Sequence, residues 1–133
     1  MEARRAHGRL MVTGDLDRCR EWISAALEYS GGTHDIIDIY EGIYKGTMQL
    51  WPSKNCCIVT ELIVYPRKKV LNVFLGGGDK GSLTEILSMH EDVINWAKAQ
   101  GCAGVSITGR FGWEKHLKKH GWKPLHQSYT KEI

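Results

Sequence analysis

The sequence predicts an α/β (α+β) fold: a mixed, mostly antiparallel sheet with helices on both faces. Three observations carry this. Apolar residues recur at helical spacing from Leu16 to Tyr44, and after Gly46 the period changes to two. Two β-rich apolar runs, Cys56 to Tyr65 and Val70 to Leu75, follow one another across the short turn Pro66-Arg67-Lys68-Lys69. A triple glycine, Gly76-Gly77-Gly78, then leads into one long amphipathic stretch that stops at Gly101. The expected element order is (β)ααβββαβαβ.

At 133 residues the chain suffices for one core, read as a basic N-terminal arm over residues 1–9 and a single domain over 10–133. Patterning begins near Met11, which is a candidate start. Apolar content of 42% and charged content of 25% are ordinary for a soluble protein, and a net charge of +3 does not argue for nucleic acid. No apolar run reaches the length of a membrane span, and the N-terminal Arg4, Arg5, His7 and Arg9 are not followed by the apolar core of a secretory signal. The four cysteines, Cys19, Cys56, Cys57 and Cys102, show neither CxxC nor zinc-ligand spacing. Reduced core thiols and no metal are expected.

In chain order, Leu10 to Val12 reads as a short first strand. Asp15 can cap a first helix that carries Leu16, Cys19, Ile23, Ala26 and Leu27 and stops at Gly31-Gly32. Thr33 is the expected cap of a second helix, whose Ile36, Ile37, Ile39, Tyr40, Ile43 and Tyr44 form a wide apolar face; Tyr40 and Tyr44 could serve a homodimer or pack in the core. Thr47 to Trp51, Cys56 to Tyr65 and Val70 to Leu75 then make a three-stranded meander. Ser82 and Glu85 fit a capping box for a helix running to Gln100. Ala103 to Thr108 is a strand reached by a helical crossover, and so parallel to the one before it. Phe111 to His120 is a last helix with a Schellman ending at Gly121-Trp122, and Lys123 to Ile133 a final strand with Leu125 and Tyr129 on one face.

Glu61 is the most informative residue, since it interrupts an apolar strand on the face shared with Val59 and Ile63. A buried carboxylate costs several kcal/mol unless paired or protonated, roughly the range for ions in protein interiors, and would be a candidate base for a substrate ammonium. The alternative is an open sheet with Glu61 solvated or paired to a Lys or Arg. Arg110 follows the last central strand, where α/β clefts open, and can bind an anionic group or serve as a helix-entry residue with a surface partner. Phe111 and Trp113 can wall a pocket or pack in the core. His116 and His120 share a helical face, but HLKKH lacks the glutamate of a zinc motif and reads as a solvated pair. Lys115, Lys118, Lys119 and Lys123 form a basic, solvated face.

The element order, the glycine loop, GSLTEILSMHEDVINWAKAQGCAGVSI and HLKKHGWKP together resemble the GNAT superfamily, the Gcn5-related N-acetyltransferases. TELIVYPRKKVLNVFLGGGD and ITGRFGWEKHLKKHGW are most similar to small GNAT-like proteins of bacteriophages and prophages. This resemblance implies a V-shaped cleft between Val70–Leu75 and Ala103–Thr108, with acetyl-CoA held at Leu75, Gly76, Gly77, Gly78, Lys80, Gly81 and Ser82. Glu61 would be the catalytic base, with Arg110 and Trp113 at the substrate. Two positions depart from the family pattern. The phosphate loop has Gly78 and Leu83 at its first and last positions, and Leu117 stands where the family commonly places a tyrosine acid. The departures favour a divergent, non-catalytic protein of the host cytoplasm or the virion, binding a phage or host protein; the alternative is an acetyl-CoA-dependent N-acetyltransferase acting on an amine.

Overall fold

The computed structural model describes residues 4–6, 9–11, 14–109 and 113–133, with side chains from residue 14 onward. The main sheet has four strands in the order β3-β4-β5-β6: β3 is Met48–Pro52, β4 Cys56–Val64, β5 Lys69–Gly78 and β6 Gly104–Ile107. β3, β4 and β5 pair antiparallel and β6 joins β5 in parallel, as expected for a meander followed by a helical crossover. One correction concerns the N-terminus. Leu10 and Met11 fall in a strand β2, Arg9–Met11, whose partner is β1, Arg4–Ala6, in a separate two-stranded ladder. Val12 lies outside the described residues.

Helix α1 is Gly14–Leu27 and α2 is Ile36–Lys45. Asp15 lies inside the first turn of α1 and pairs with Arg18 at 3.5 Å. The cap of α2 is Asp35 rather than Thr33: its carboxylate accepts from the Asp38 amide, and Asp38 reaches back to the Asp35 amide. An ionised carboxylate is the stronger acceptor for a helix N-terminus, while the Thr33 hydroxyl bonds the Ser30 carbonyl and His34. Gly46, at φ 85°, closes α2.

The long helix expected from Ser82 to Gln100 is two helices, α3 (Leu83–Ser88) and α4 (His90–Ala99), interrupted at Met89. Met89 is buried in the core, and its amide bonds back to Ile86 in a tightened turn. Ser82 and Glu85 form no capping box. Glu85 instead reaches the β3–β4 turn, where it accepts from the Asn55 amide (2.9 Å) and carboxamide (3.0 Å). α5 is Glu114–Lys119, and its end is the expected Schellman motif: Trp122 N–H donates to Leu117 and Gly121 N–H to Lys118, with Gly121 at φ 84°. Lys123 to Ile133 forms no strand here; Leu125 and Tyr129 stand exposed. Alternation sets which residues share a face, but it does not supply the neighbouring strand that must satisfy the backbone.

Two cores lie on opposite faces of the sheet. Cys19, Ile23, Ile39, Leu50, Cys57, Val59 and Leu75 pack beneath α1 and α2. Trp51, Cys56, Ile58, Leu71, Val73, Met89 and Val93 pack beneath α4. The alternation of β4 between Cys56/Ile58 and Cys57/Val59 assigns its residues to the two faces in turn.

A candidate active site where two strands part

β5 carries one extra residue. Thr60 pairs with Val73 and Val59 with Leu75, so Phe74 is unmatched on β4. Such a bulge bends the strand and reverses its alternation: Val73 faces the α4 core, whereas Leu75 faces the α1/α2 core. Pairing with β6 ends at the same place. The last contacts are Val73 opposite Ile107 and the Thr108 amide on the Val73 carbonyl (3.1 Å), while β5 continues to Gly78. The two strands therefore fork just after Val73.

A row of polar side chains crosses three strands beside this fork. Glu61, Asn72 and Ser106 are successive register partners on β4, β5 and β6. Asn72 Nδ2 donates to Glu61 Oε1 (3.2 Å), and its Oδ1 accepts from Ser106 Oγ (2.9 Å) and Thr108 Oγ1 (3.2 Å). Asn72 is 6% exposed, Glu61 and Ser106 are half-buried, and Thr108 is exposed, so the row opens to solvent at one end. Glu61 is thus half-buried, and among the described residues it has no Lys or Arg partner; an amide bonds it instead. His34, in the loop before α2, packs at a tilt of 57° against Phe74 with ring centroids 4.7 Å apart, which adds an imidazole beside the bulge.

Sequence reading found Glu61 and missed Asn72, Ser106 and Thr108. A signal was present. Asn72 breaks an apolar strand at the position that hairpin pairing across the Pro66–Lys68 turn sets opposite Glu61. Ser106 and Thr108 alternate with the apolar Val105 and Ile107.

The glycine stretch differs from expectation. Gly76, Gly77 and Gly78 are strand residues opposite Ile58, Cys57 and Cys56, not a loop. Their lack of a side chain serves close packing. A β-carbon on Gly77 would lie 2.6 Å from the Trp22 carbonyl oxygen, and one on Gly78 would collide with the Cys56 β-carbon. Leu75 is buried in the α1/α2 core. The loop proper is Asp79 to Ser82, with Gly81 at φ 82° and Lys80 exposed. Asp79 Oδ1 accepts from Trp22 Nε1 at 3.2 Å.

Trp113 precedes α5 and lies across the fork on the α4 side. A β-carbon on Gly76 would sit 3.2 Å from its indole, and one on Gly109 would sit 2.9 Å from it. It also walls a small apolar cavity of about 40 Å³ with Ile58, Val73, Ile107 and Leu117. Arg110 and Phe111 lie outside the described residues. His120 Nδ1 contacts the His116 carbonyl at 2.9 Å, so this ring is engaged by its own helix.

Glu85 and Cys56 make a second polar contact. The Ser53 hydroxyl, then the Asn55 amide and carboxamide, hold the Glu85 carboxyl down to about 2. Burial, and then Glu85 beside it, push the Cys56 thiol up to about 12. The hydrogen bond with Cys19, and then burial, raise Cys57 as well. These thiols are structural: a nucleophilic cysteine needs access and a lowered pKa.

Compared by sequence, the chain matches no protein-family model and none of the curated proteins. Compared by structure, it is similar to solved proteins along nearly its whole length. A GNAT family acetyltransferase of Staphylococcus aureus superposes with a TM-score of 0.56 at 11% identity, over 94% of this chain and 96% of that one. Glucosamine-6-phosphate N-acetyltransferase of Arabidopsis thaliana gives 0.56 at 14%, over 84% and 90%. A protein of Bacillus halodurans described as a transcriptional regulator gives 0.67 at 12%, over 94% and 97%. The forked sheet, the crossover through α3 and α4 and these superpositions together show that the chain has the fold of the GNAT-family acetyltransferases.

Proposed function

We propose that this chain is an acyl-CoA-dependent N-acyltransferase acting on a small amine, with Glu61 as general base. The observation that carries it is the coincidence of the fork with the Glu61–Asn72–Ser106–Thr108 row. Beyond Val73, β5 has no β6 partner, and among the described residues its backbone groups on that side are left for an amide-bearing arm to pair with. The residues fit acetyl-CoA at its phosphate end. The first amides of α3 lack helical partners and Lys80 offers a cation, while Asp79, the carboxylate of this loop, accepts from Trp22 Nε1 through Oδ1. Acetyl-CoA would supply an activated acyl thioester. Glu61, oriented by Asn72, would accept the proton that an ammonium must lose before it attacks. Leu117 offers no acid at the position where the family commonly places a tyrosine.

Trp113 favours a second reading. Its indole spans Gly76 and Gly109, in the gap an acyl-CoA arm would enter. On that reading the fold is a non-catalytic descendant that binds a protein partner; a phage, prophage or virion setting rests on the sequence resemblance alone.

Calorimetric titration with acetyl-CoA and CoA separates the two. Binding, followed by turnover in an amine panel that falls in Glu61→Gln, supports the enzyme. Absence of binding at millimolar cofactor would sink it, and recovery of binding in Trp113→Ala would identify the indole as the block.

A further inference from the structure

An ammonium that becomes an amide sheds two protons from one nitrogen, the first before it can attack and the second as the C–N bond forms. Glu61 is one carboxylate and holds one of them. The second needs another acceptor on the same side of the sheet.

His34 stands there. Its ring packs against Phe74 with centroids 4.7 Å apart. Phe74 is the unmatched residue of the bulge, next in the chain after Val73, where the pairing of β5 with β6 ends. Leu71 and Val73 face the α4 core, so Asn72 takes the opposite side, where Phe74 packs against the α1/α2 core. Asn72 and Phe74 are about 7 Å apart along the strand. The imidazole is therefore anchored one step along β5 from the carboxamide that orients Glu61.

The hydrogen bonds around the ring assign its tautomer. Thr33 has one hydroxyl hydrogen and donates it to the Ser30 carbonyl at 3.2 Å. Towards His34 Nδ1, 2.7 Å away, the same oxygen is then the acceptor, so Nδ1 carries the ring hydrogen. In the neutral ring the lone pair is left on Nε2. Nε2 has no hydrogen-bond partner among the described residues, and the side chain is only half-buried. A ring held through Nδ1–H with Nε2 open is arranged to accept a proton.

We propose, resting on the acyltransfer reading above, that His34 is a second catalytic base. Glu61 takes the proton shed before attack, and His34 Nε2 takes the one shed as the C–N bond forms. The C–S bond breaks with its electron pair on sulfur. Of the two protons, one ends on the thiol and the other in solvent, which returns both bases to their starting state. Thr33 is a positioning residue, since its hydroxyl keeps the ring hydrogen on Nδ1.

The test compares wild type, His34→Gln, His34→Ala and Thr33→Val, with acetyl-CoA as donor and ethanolamine, tyramine and spermidine as acceptors. In both His34 variants kcat should fall about 10-fold or more, with KM for acetyl-CoA nearly unchanged. Added imidazole should restore His34→Ala in proportion to its concentration. Nitrogen NMR of the protein without ligand reads the tautomer apart from activity: the neutral His34 ring should be protonated on Nδ1 in wild type and on a mixture of both nitrogens in Thr33→Val. An active wild type matched by His34→Gln, a loss in His34→Ala that imidazole does not restore, or a wild-type ring protonated on Nε2 each overturns the role of His34 and leaves the acyltransfer reading standing. A wild type that acetylates none of the three amines overturns the role of His34 together with that reading.

Discussion

Glu61 and Glu85 are two carboxylates with different consequences. Glu61 sits beside the fork and accepts from the Asn72 carboxamide at 3.2 Å. Glu61→Gln keeps the shape and the Asn72 contact but removes the base that the proposed function requires. In steady-state assays with the amine found by screening, kcat/KM should fall by about 10²-fold or more, with Tm nearly unchanged. Glu85 ties α3 to the β3–β4 turn. Its folded pKa, about 2, lies below the usual value of 4.5, so the unfolded chain takes up the proton first on acidification. The stabilisation is therefore complete above about 4.5 and lost as the pH falls toward 2. Thermal melts from pH 6 to pH 2.5 should show a fall in Tm that is shallower in Glu85→Gln. Cys19, Cys56 and Cys57 are fully buried, and native protein at pH 8 should leave them unlabelled by iodoacetamide until denaturant is added.

Strand β5 illustrates how one element does several jobs in succession. Up to Val73 it is a central strand; at Phe74 it bulges; from Gly76 it is a close-packed strip against α1 and β4. Gly77→Ala places a methyl group against the Trp22 backbone, which cannot move without shifting α1. A loss of about 1–3 kcal/mol is expected, read as the midpoint in urea denaturation. The same substitution at Gly121, where φ is positive, strains the Schellman turn by about 1–2 kcal/mol. The two glycines thus fail for different reasons, space at one and backbone conformation at the other. The triple glycine was legible in the sequence as a departure from ordinary strand composition. Its meaning was not, because a glycine needed for a phosphate and one needed for a neighbouring helix look alike until the neighbour is placed.

Across the whole molecule, one sheet separates two apolar layers, and β4 and β5 contribute to both. Loss of either layer exposes the shared strands, so unfolding should be a single transition. Ile23→Ala beneath α1 and Leu71→Ala beneath α4 should each cost about 2–5 kcal/mol. The losses should appear identically by tryptophan fluorescence and by circular dichroism. Two separated transitions would show that the layers fold independently.

The sequence by itself determined the fold class, the meander and parallel crossover of the four-stranded sheet, the approximate bounds of its strands and the Schellman ending, because periodicity and turn chemistry are local. It also singled out Glu61, because a charge inside an apolar strand is anomalous wherever it lies. Only the tertiary structure decided which groups meet. It put Asn72, Ser106 and Thr108 beside Glu61, Trp113 across the fork and Glu85 on the distant Asn55 instead of its own helix cap. It also left Lys123 to Ile133 without the strand partner that its alternation calls for. Local pattern sets the face a side chain takes. Its partner is set by strand register and by which helix covers that face, and both are long-range.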